Sequence, residues 1–158
     1  MINRMNSAPK SKNALEFAYE TSAASETPQP KALRRVLVID DDAVMRKLIL
    51  EILGNRYQVL TSSHGLELPR LMTEFVPDLV ILDVMMPWVD GIQLCRSLKI
   101  NPAWKKIPVI FVSGKKKMAD VDFALEQGAD AYITKPFSMV DLLHKIKVLL
   151  GEPADELF

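Results

Sequence analysis

Short, continuous apolar runs alternate with longer segments of helical spacing from residue 34 onward. The runs predict strands at 36–39, 57–61, 79–82, 109–112 and 131–134. Uninterrupted runs of valine, isoleucine and leucine are typical of strands that are buried on both faces. The intervening segments predict helices at 43–53, 65–75, 91–99, 118–127 and 138–150.

Residues at two of the predicted helices carry local signals. Ser138 is a favourable N-cap with Asp141 three residues later, and Gly151 follows the end of the last helix. Pro69 falls inside the second helical segment. A proline is tolerated only in the first turn of a helix, where the backbone N–H groups have no partners, so we expect Pro69 to lie there.

Five strands that alternate with five helices predict an α/β fold with a parallel sheet covered on both faces. The crossovers are expected to be right-handed. In open sheets of this kind, the functional site lies outside the carboxyl ends of the strands. The loops that follow the predicted strands are therefore the place to look for chemistry.

The composition changes near residue 32 and divides the chain. Residues 1–32 are rich in small and polar residues and in proline, and they predict a flexible N-terminal arm. Residues 33–151 predict the folded domain, and residues 152–158 a short tail. Within the arm, residues 13–24 have helical spacing and are interpreted either as disordered or as a helix that binds a partner.

Composition and charge exclude several classes of protein. A chain with 49% apolar and 25% charged residues is not disordered throughout. Its 20 basic and 20 acidic residues leave no overall positive field for nucleic acid or a membrane surface. Cys95 is the only cysteine, which excludes an intramolecular disulfide. No apolar run could cross a bilayer and no signal peptide is evident, so we expect a cytoplasmic location.

Polar side chains follow four of the predicted strands. Strand one is followed by Asp40, Asp41 and Asp42, strand three by Asp83, strand four by Ser113 and strand five by Lys135. Clustered carboxylates repel one another, which raises their pKa values or favours a bound cation. Oxygen ligands with open water positions suit Mg²⁺, so the sequence predicts a magnesium site.

A carboxylate beside a metal ion and a lysine is suited to phosphoryl chemistry. Asp83 is the natural nucleophile, because an aspartyl carboxylate can take up a phosphoryl group. Lys135 and Ser113 are expected to contact phosphate oxygens. A small phosphohydrolase that forms a phosphoaspartate is the alternative, but the haloacid-dehalogenase-like enzymes carry a second aspartate two residues after the nucleophile, where this chain has Met85.

Four motifs together resemble the receiver domain of two-component response regulators. They are Val36-Leu-Val-Ile-Asp-Asp-Asp42, Leu82-Asp-Val-Met-Met-Pro87 with Asp90-Gly91, Ser113-Gly114, and Lys135-Pro-Phe137. The resemblance covers residues 34–150. It implies a flavodoxin-like, doubly wound (βα)5 sheet with strand order 2-1-3-4-5 and, often, a cis bond before the proline of the Lys-Pro pair.

The resemblance also implies a role for each residue of the site. Asp83 resembles the phosphoacceptor, and Ser113 and Lys135 resemble the switch hydroxyl and the phosphate-binding lysine. The Mg²⁺ ligands would be Asp40, Asp41, Asp83 and the main-chain carbonyl of Met85. Tyr132 resembles the switch aromatic, although an aromatic residue on an edge strand is the other interpretation.

A receiver implies a switch rather than a conventional enzyme, with only self-catalysed phosphotransfer and autodephosphorylation. Its partners would be a histidine kinase or a histidine phosphotransfer protein, and a downstream protein bound at the face of helix 4, strand 5 and helix 5. A homodimer is possible. Lys115 stands where the fastest members of the family have an acid or amide that helps to position water, so the resemblance implies a phosphoaspartate that lasts longer than in those members. We expect a stand-alone receiver without a nucleic-acid-binding domain; an excised receiver and an inactive scaffold are the alternatives.

Overall fold

The computed structural model describes residues 31–115 and 117–154. The fold lies within the compact unit of residues 33–158. Nearly all of the predicted N-terminal arm, with its possible helix at 13–24, lies outside the described residues, as does the end of the tail.

Strands and α-helices alternate along the described residues. The strands are β1 (Arg35–Ile39), β2 (Gln58–Ser62), β3 (Leu79–Asp83), β4 (Val109–Ser113) and β5 (Ala131–Thr134). The α-helices are α1 (Ala43–Leu53), α2 (Leu68–Glu74), α3 (Gly91–Ile100), α4 (Met118–Glu126) and α5 (Met139–Leu150). Each predicted strand and helix is therefore present, with ends shifted by a few residues at most.

All neighbouring strands are parallel, and their order across the sheet is β2-β1-β3-β4-β5. This confirms the flavodoxin-like fold and the strand order that were expected. Buried side chains alternate between the two faces of the central strands and form one apolar cluster on each face. Helices α1 and α5 pack on one face, whereas α2, α3 and α4 pack on the other.

The segment predicted as one helix at 65–75 is divided in the structure. Residues Gly65–Glu67 form a 3₁₀ turn, and the α-helix begins only at Leu68. Pro69 lies in the first turn of α2, as predicted. Its ring would clash with the carbonyl group four residues earlier in a continuous α-helix, so α-helical geometry cannot extend further towards the N-terminus.

The N-cap of α5 offers a test of the helix assignment. The Ser138 hydroxyl accepts a hydrogen bond of 3.1 Å from the backbone N–H of Asp141. We expect Ser138→Ala to lower the free energy of unfolding by about 1 kcal/mol, because that N–H loses its partner. Urea denaturation measures the change. The control is Thr73→Ala, whose exposed hydroxyl bonds to the Pro69 carbonyl inside α2 and should contribute little.

Candidate functional site

Three carboxylates meet at the carboxyl edge of the sheet. Ile39 of β1 pairs with Leu82 of β3, so the residues that follow them, Asp40 and Asp83, come next to each other. Asp40, Asp41 and Asp83 each offer an oxygen atom within 4.8 Å of the others. Asp40 and Asp83 are only 2% and 6% exposed, whereas Asp41 faces solvent. The structure thus brings together the three predicted acidic ligands.

Lys135 is the cation that faces this cluster. Its Nζ lies 2.9 Å from Asp40 Oδ2 and 3.8 Å from Asp83 Oδ2. The lysine directly follows β5, and its backbone N–H donates to the Ser113 carbonyl at 2.8 Å. The Lys135–Pro136 peptide bond is cis. One ammonium group therefore forms ion pairs with two buried carboxylates, and it lies closer to that of Asp40.

This unequal pairing affects the protonation of Asp83. Burial and the negative charge of Asp40 raise the pKa of Asp83 to about 6. The Lys135 ammonium and a 3.3 Å hydrogen bond from the Met85 N–H to Asp83 Oδ1 act in the opposite direction. A carboxylate in this position has a strong tendency to bind a proton or a cation.

The three consecutive aspartates in the loop between β1 and α1 have different roles. Asp42 caps α1, since its Oδ1 accepts from the N–H groups of Val44 and Met45 at 2.9 and 3.4 Å. Asp42 also donates its own N–H to Asp40 Oδ1 at 2.9 Å. Capping therefore explains Asp42 and leaves the carboxylates of Asp40 and Asp41 directed to the cluster.

Arg46 restrains the same loop through hydrogen bonds, a role that no motif in the sequence predicted. Its guanidinium donates to the backbone carbonyls of Asp40 at 2.8 Å and Asp41 at 3.0 Å. The only signal in the sequence was a basic residue one turn into the helix after the acidic residues. These bonds restrain the backbone that carries two of the three carboxylates.

The loop between β3 and α3 is held by a close backbone contact at Gly91. A Cβ atom there would lie 2.1 Å from the Asp83 carbonyl oxygen, so only glycine allows this approach. The Gly91 N–H donates to the Val84 carbonyl at 3.0 Å, and Asp90 caps α3 by accepting from the Ile92 N–H at 2.9 Å. Met85, predicted to offer its carbonyl to a metal, lies in this loop, and its role as a ligand stays a prediction.

The loop between β4 and α4 is linked to the other two candidate residues. Ser113 is buried at the end of β4, and its Oγ accepts from the Lys115 N–H at 3.2 Å. The Tyr132 hydroxyl donates to the Lys115 carbonyl at 3.0 Å, and its half-buried ring packs edge-on against Phe111. A Cβ atom at Gly114 would meet nothing within 4 Å. Tyr132 is therefore coupled to the loop that begins at Ser113.

Comparison with known proteins identifies the family. The sequence model of the response regulator receiver domain matches residues 36–147, and the chain belongs to this family. It is 34% identical over 124 residues to the DNA-binding response regulator MtrA of Mycolicibacterium paratuberculosis, covering 78% of this chain and 54% of that protein. It is 38% identical over 119 residues to the probable transcriptional regulator ycf27 of Guillardia theta, covering 73% and 45%. The chain spans about half the length of these relatives.

Solved receiver domains have the same fold. The signal receiver domain of a signal transduction histidine kinase from Syntrophus aciditrophicus is 36% identical, with a TM-score of 0.69 and coverage of 79% of this chain and 94% of that one. The BeF3-activated receiver domain of Klebsiella pneumoniae RstA is 28% identical, with a TM-score of 0.69 and coverage of 75% and 100%. Membership places the chain in phosphorylation-based two-component signalling. In the described part of the chain, no helix is both long and apolar enough to span a bilayer.

The contact at Gly91 predicts a specific sensitivity of the site to one added methyl group. We expect Gly91→Ala to lower the free energy of unfolding by about 3 kcal/mol, because the methyl group must displace the backbone at Asp83. Chemical denaturation measures this change. Gly114→Ala is the matched control, since its methyl group meets no atom, and a comparable loss there would contradict the interpretation.

The raised pKa of Asp83 predicts how stability depends on pH. The folded chain binds a proton at Asp83 more tightly than the unfolded chain, so stability falls as the pH rises from about 4 towards 6 and stays lower above. In metal-free buffer at pH 7, we expect Asp83→Asn to raise the free energy of unfolding by roughly 2–3 kcal/mol. Denaturation at pH 4 and pH 7 tests this, and the gain should shrink to about 0.5 kcal/mol at pH 4. Asp42→Asn, which keeps a capping side chain, should change stability little at either pH.

Proposed function

We propose that this chain is a phosphoacceptor receiver that takes a phosphoryl group onto Asp83 in a Mg²⁺-dependent step. The observation that supports this most directly is the buried Asp83 carboxylate, which lies within 4.8 Å of two further carboxylates and 3.8 Å from the Lys135 ammonium. The donor would be a histidine kinase or a histidine phosphotransfer protein.

The donor set fits a magnesium ion. Three carboxylates that converge within 4.8 Å carry more negative charge than one lysine neutralises. Magnesium prefers oxygen ligands and retains water positions that phosphoryl oxygens can occupy. Asp40, Asp41, Asp83 and the Met85 carbonyl would hold the ion, which when bound supplies positive charge to the phosphoryl oxygens.

The transfer itself is carried by Asp83. One carboxylate oxygen attacks the phosphorus of a phosphohistidine, and a P–O bond forms as the P–N bond breaks. The departing imidazole nitrogen keeps the electron pair and takes a proton from solvent. Lys135 then exchanges part of its contact with Asp40 for the new phosphoryl oxygens. Water later hydrolyses the acyl phosphate and returns Asp83 with inorganic phosphate. Lys115, which offers no acid or amide to position that water, favours a slow return.

Phosphorylation would change the conformation of the residues around β4 and β5. The phosphoryl group adds a charge of about −1.5 to −2, which attracts the Ser113 hydroxyl and the Lys135 ammonium. Tyr132 is held by the Lys115 carbonyl, so a movement of Ser113 and its loop would release or redirect the ring. The face of α4, β5 and α5 would then shift between two states and bind a downstream protein or a second copy of the chain.

The proposal is tested by intact mass spectrometry after incubation with acetyl phosphate and Mg²⁺. We expect one added phosphoryl group, which is lost in Asp83→Asn and after chelation of the metal. The matched control is Asp42→Asn, which alters a neighbouring carboxylate that caps α1 and should leave the adduct intact.

Other outcomes point to other functions. An adduct that survives in Asp83→Asn would contradict the assignment of the acceptor. Steady release of phosphate far above one equivalent would identify a phosphohydrolase instead. No adduct from acetyl phosphate or from a phosphohistidine protein, with folding confirmed, would leave a scaffold without phosphoacceptor activity.

A further inference from the structure

Trp88, in the loop between β3 and α3, is unusual in two independent ways. Its φ angle is +71°, in the left-handed region that is costly for a bulky side chain. Its side chain is also 95% exposed, although a large aromatic ring is favoured inside a protein or an interface. Neither feature benefits the isolated domain.

The conformation of Trp88 is imposed by the loop on either side of it. Met85 and Asp90 form an antiparallel bridge that closes the loop below Trp88. Val89 packs so closely on Gly65 that a Cβ atom at Gly65 would lie 2.4 Å from Val89 Cγ1. The tryptophan is therefore presented on a restrained loop, and strained residues of this kind concentrate at functional sites.

Trp88 stands between two hollows that flank the acidic site. One, of about 250 Å³, is lined by Trp88 together with Leu66 and Asp41. The other, of about 440 Å³, is lined by Trp88 together with Met85 and Lys115. Leu66 and Met85 are themselves 72% and 62% exposed. Leu66, Trp88 and Met85 thus form an exposed apolar ridge, here called the Trp88 ridge, with a hollow on each side of Trp88. Asp41 of the acidic cluster lines one hollow, and Lys115, two residues after Ser113, lines the other.

The position of Asp83 decides what could cover this ridge. The Asp83 residue is only 6% exposed, so a phosphoryl group must enter through the opening that these loops surround. A protein that carries phosphohistidine must lay its own surface across the rim of this opening, whereas acetyl phosphate is too small to cover that rim. The Trp88 ridge is therefore continuous with the surface that any protein donor has to cover.

We propose that the Trp88 ridge is a docking contact for the phosphohistidine-bearing protein, with apolar side chains of the donor seated in the two hollows beside Trp88. This inference rests on the proposed function, because it names the donor contact of the same site. It assigns to Trp88 the recognition of a protein donor and no part in the chemistry at Asp83.

The test compares a protein donor with a small one. Autophosphorylated histidine kinases of the source organism are screened for transfer to the wild-type chain, and the active kinase serves as the protein donor. With this donor we expect Trp88→Gly to raise KM at least ten-fold and to change kcat less than two-fold. Phosphorylation by acetyl phosphate should also change less than two-fold. Trp88→Phe, which keeps an apolar ring, should restore most of the affinity.

Val76→Gly is the matched control. Val76 also has a positive φ, +51°, and is exposed, but it precedes β3 and lies at the opposite edge of the sheet. Both glycine variants relieve the same kind of backbone strain, so both should unfold at a temperature no lower than that of the wild type. Only Trp88→Gly should weaken the protein donor.

Several results would overturn the proposal. A KM for the kinase within two-fold of the wild type would exclude Trp88 from donor docking. If Trp88→Gly slowed phosphorylation by acetyl phosphate as much as phosphorylation by the kinase, Trp88 would instead position the loop that follows Asp83. A changed oligomeric state in light scattering, with transfer intact, would assign the ridge to a second copy of the chain. If acetyl phosphate modifies Asp83 but no kinase does, this inference fails while the acceptor assignment stands; if neither donor modifies Asp83, the proposed function itself fails.

Discussion

Two buried carboxylates share one ammonium group at the carboxyl edge of the sheet, and the rest of the site depends on that unequal pairing. Lys135 lies closer to Asp40 than to Asp83, so the charge of Asp83 is only partly balanced. Burial strengthens the repulsion between the carboxylates and raises the pKa of Asp83. Binding of a cation, or new oxygen partners for Lys135, would lower the free energy of a site in this state, and the proposed phosphoryl transfer involves both events.

Backbone contacts hold the charges in place without adding charge to the cluster. The Arg46 guanidinium donates to two main-chain carbonyls, and the Asp42 carboxylate caps the N-terminus of α1. Gly91 permits a backbone approach at Asp83 that no side chain would allow. The loops are thereby restrained, while the oxygens of Asp40 and Asp83 stay available for a ligand.

The residues that depart from local rules are gathered around one opening. Asp83 is a buried acid, Trp88 is an exposed aromatic residue with a positive φ, and Gly114 leaves space beside Ser113. The central strands β1, β3 and β4, by contrast, follow the expected pattern of buried apolar residues. Such a contrast is expected when a stable sheet carries a functional edge whose residues are selected for more than stability.

The sequence by itself determined the order of the strands and α-helices, the polar residues at the ends of four strands, and the capping of α5 by Ser138. These features depend on periodicity and on neighbours a few residues away. Only the tertiary structure decided that Lys135 lies nearer Asp40 than Asp83, that Arg46 binds two carbonyls, and that Trp88 stands exposed between two hollows. Distances of this kind depend on how crossovers bring distant segments of the chain together, and no local pattern in the sequence encodes them.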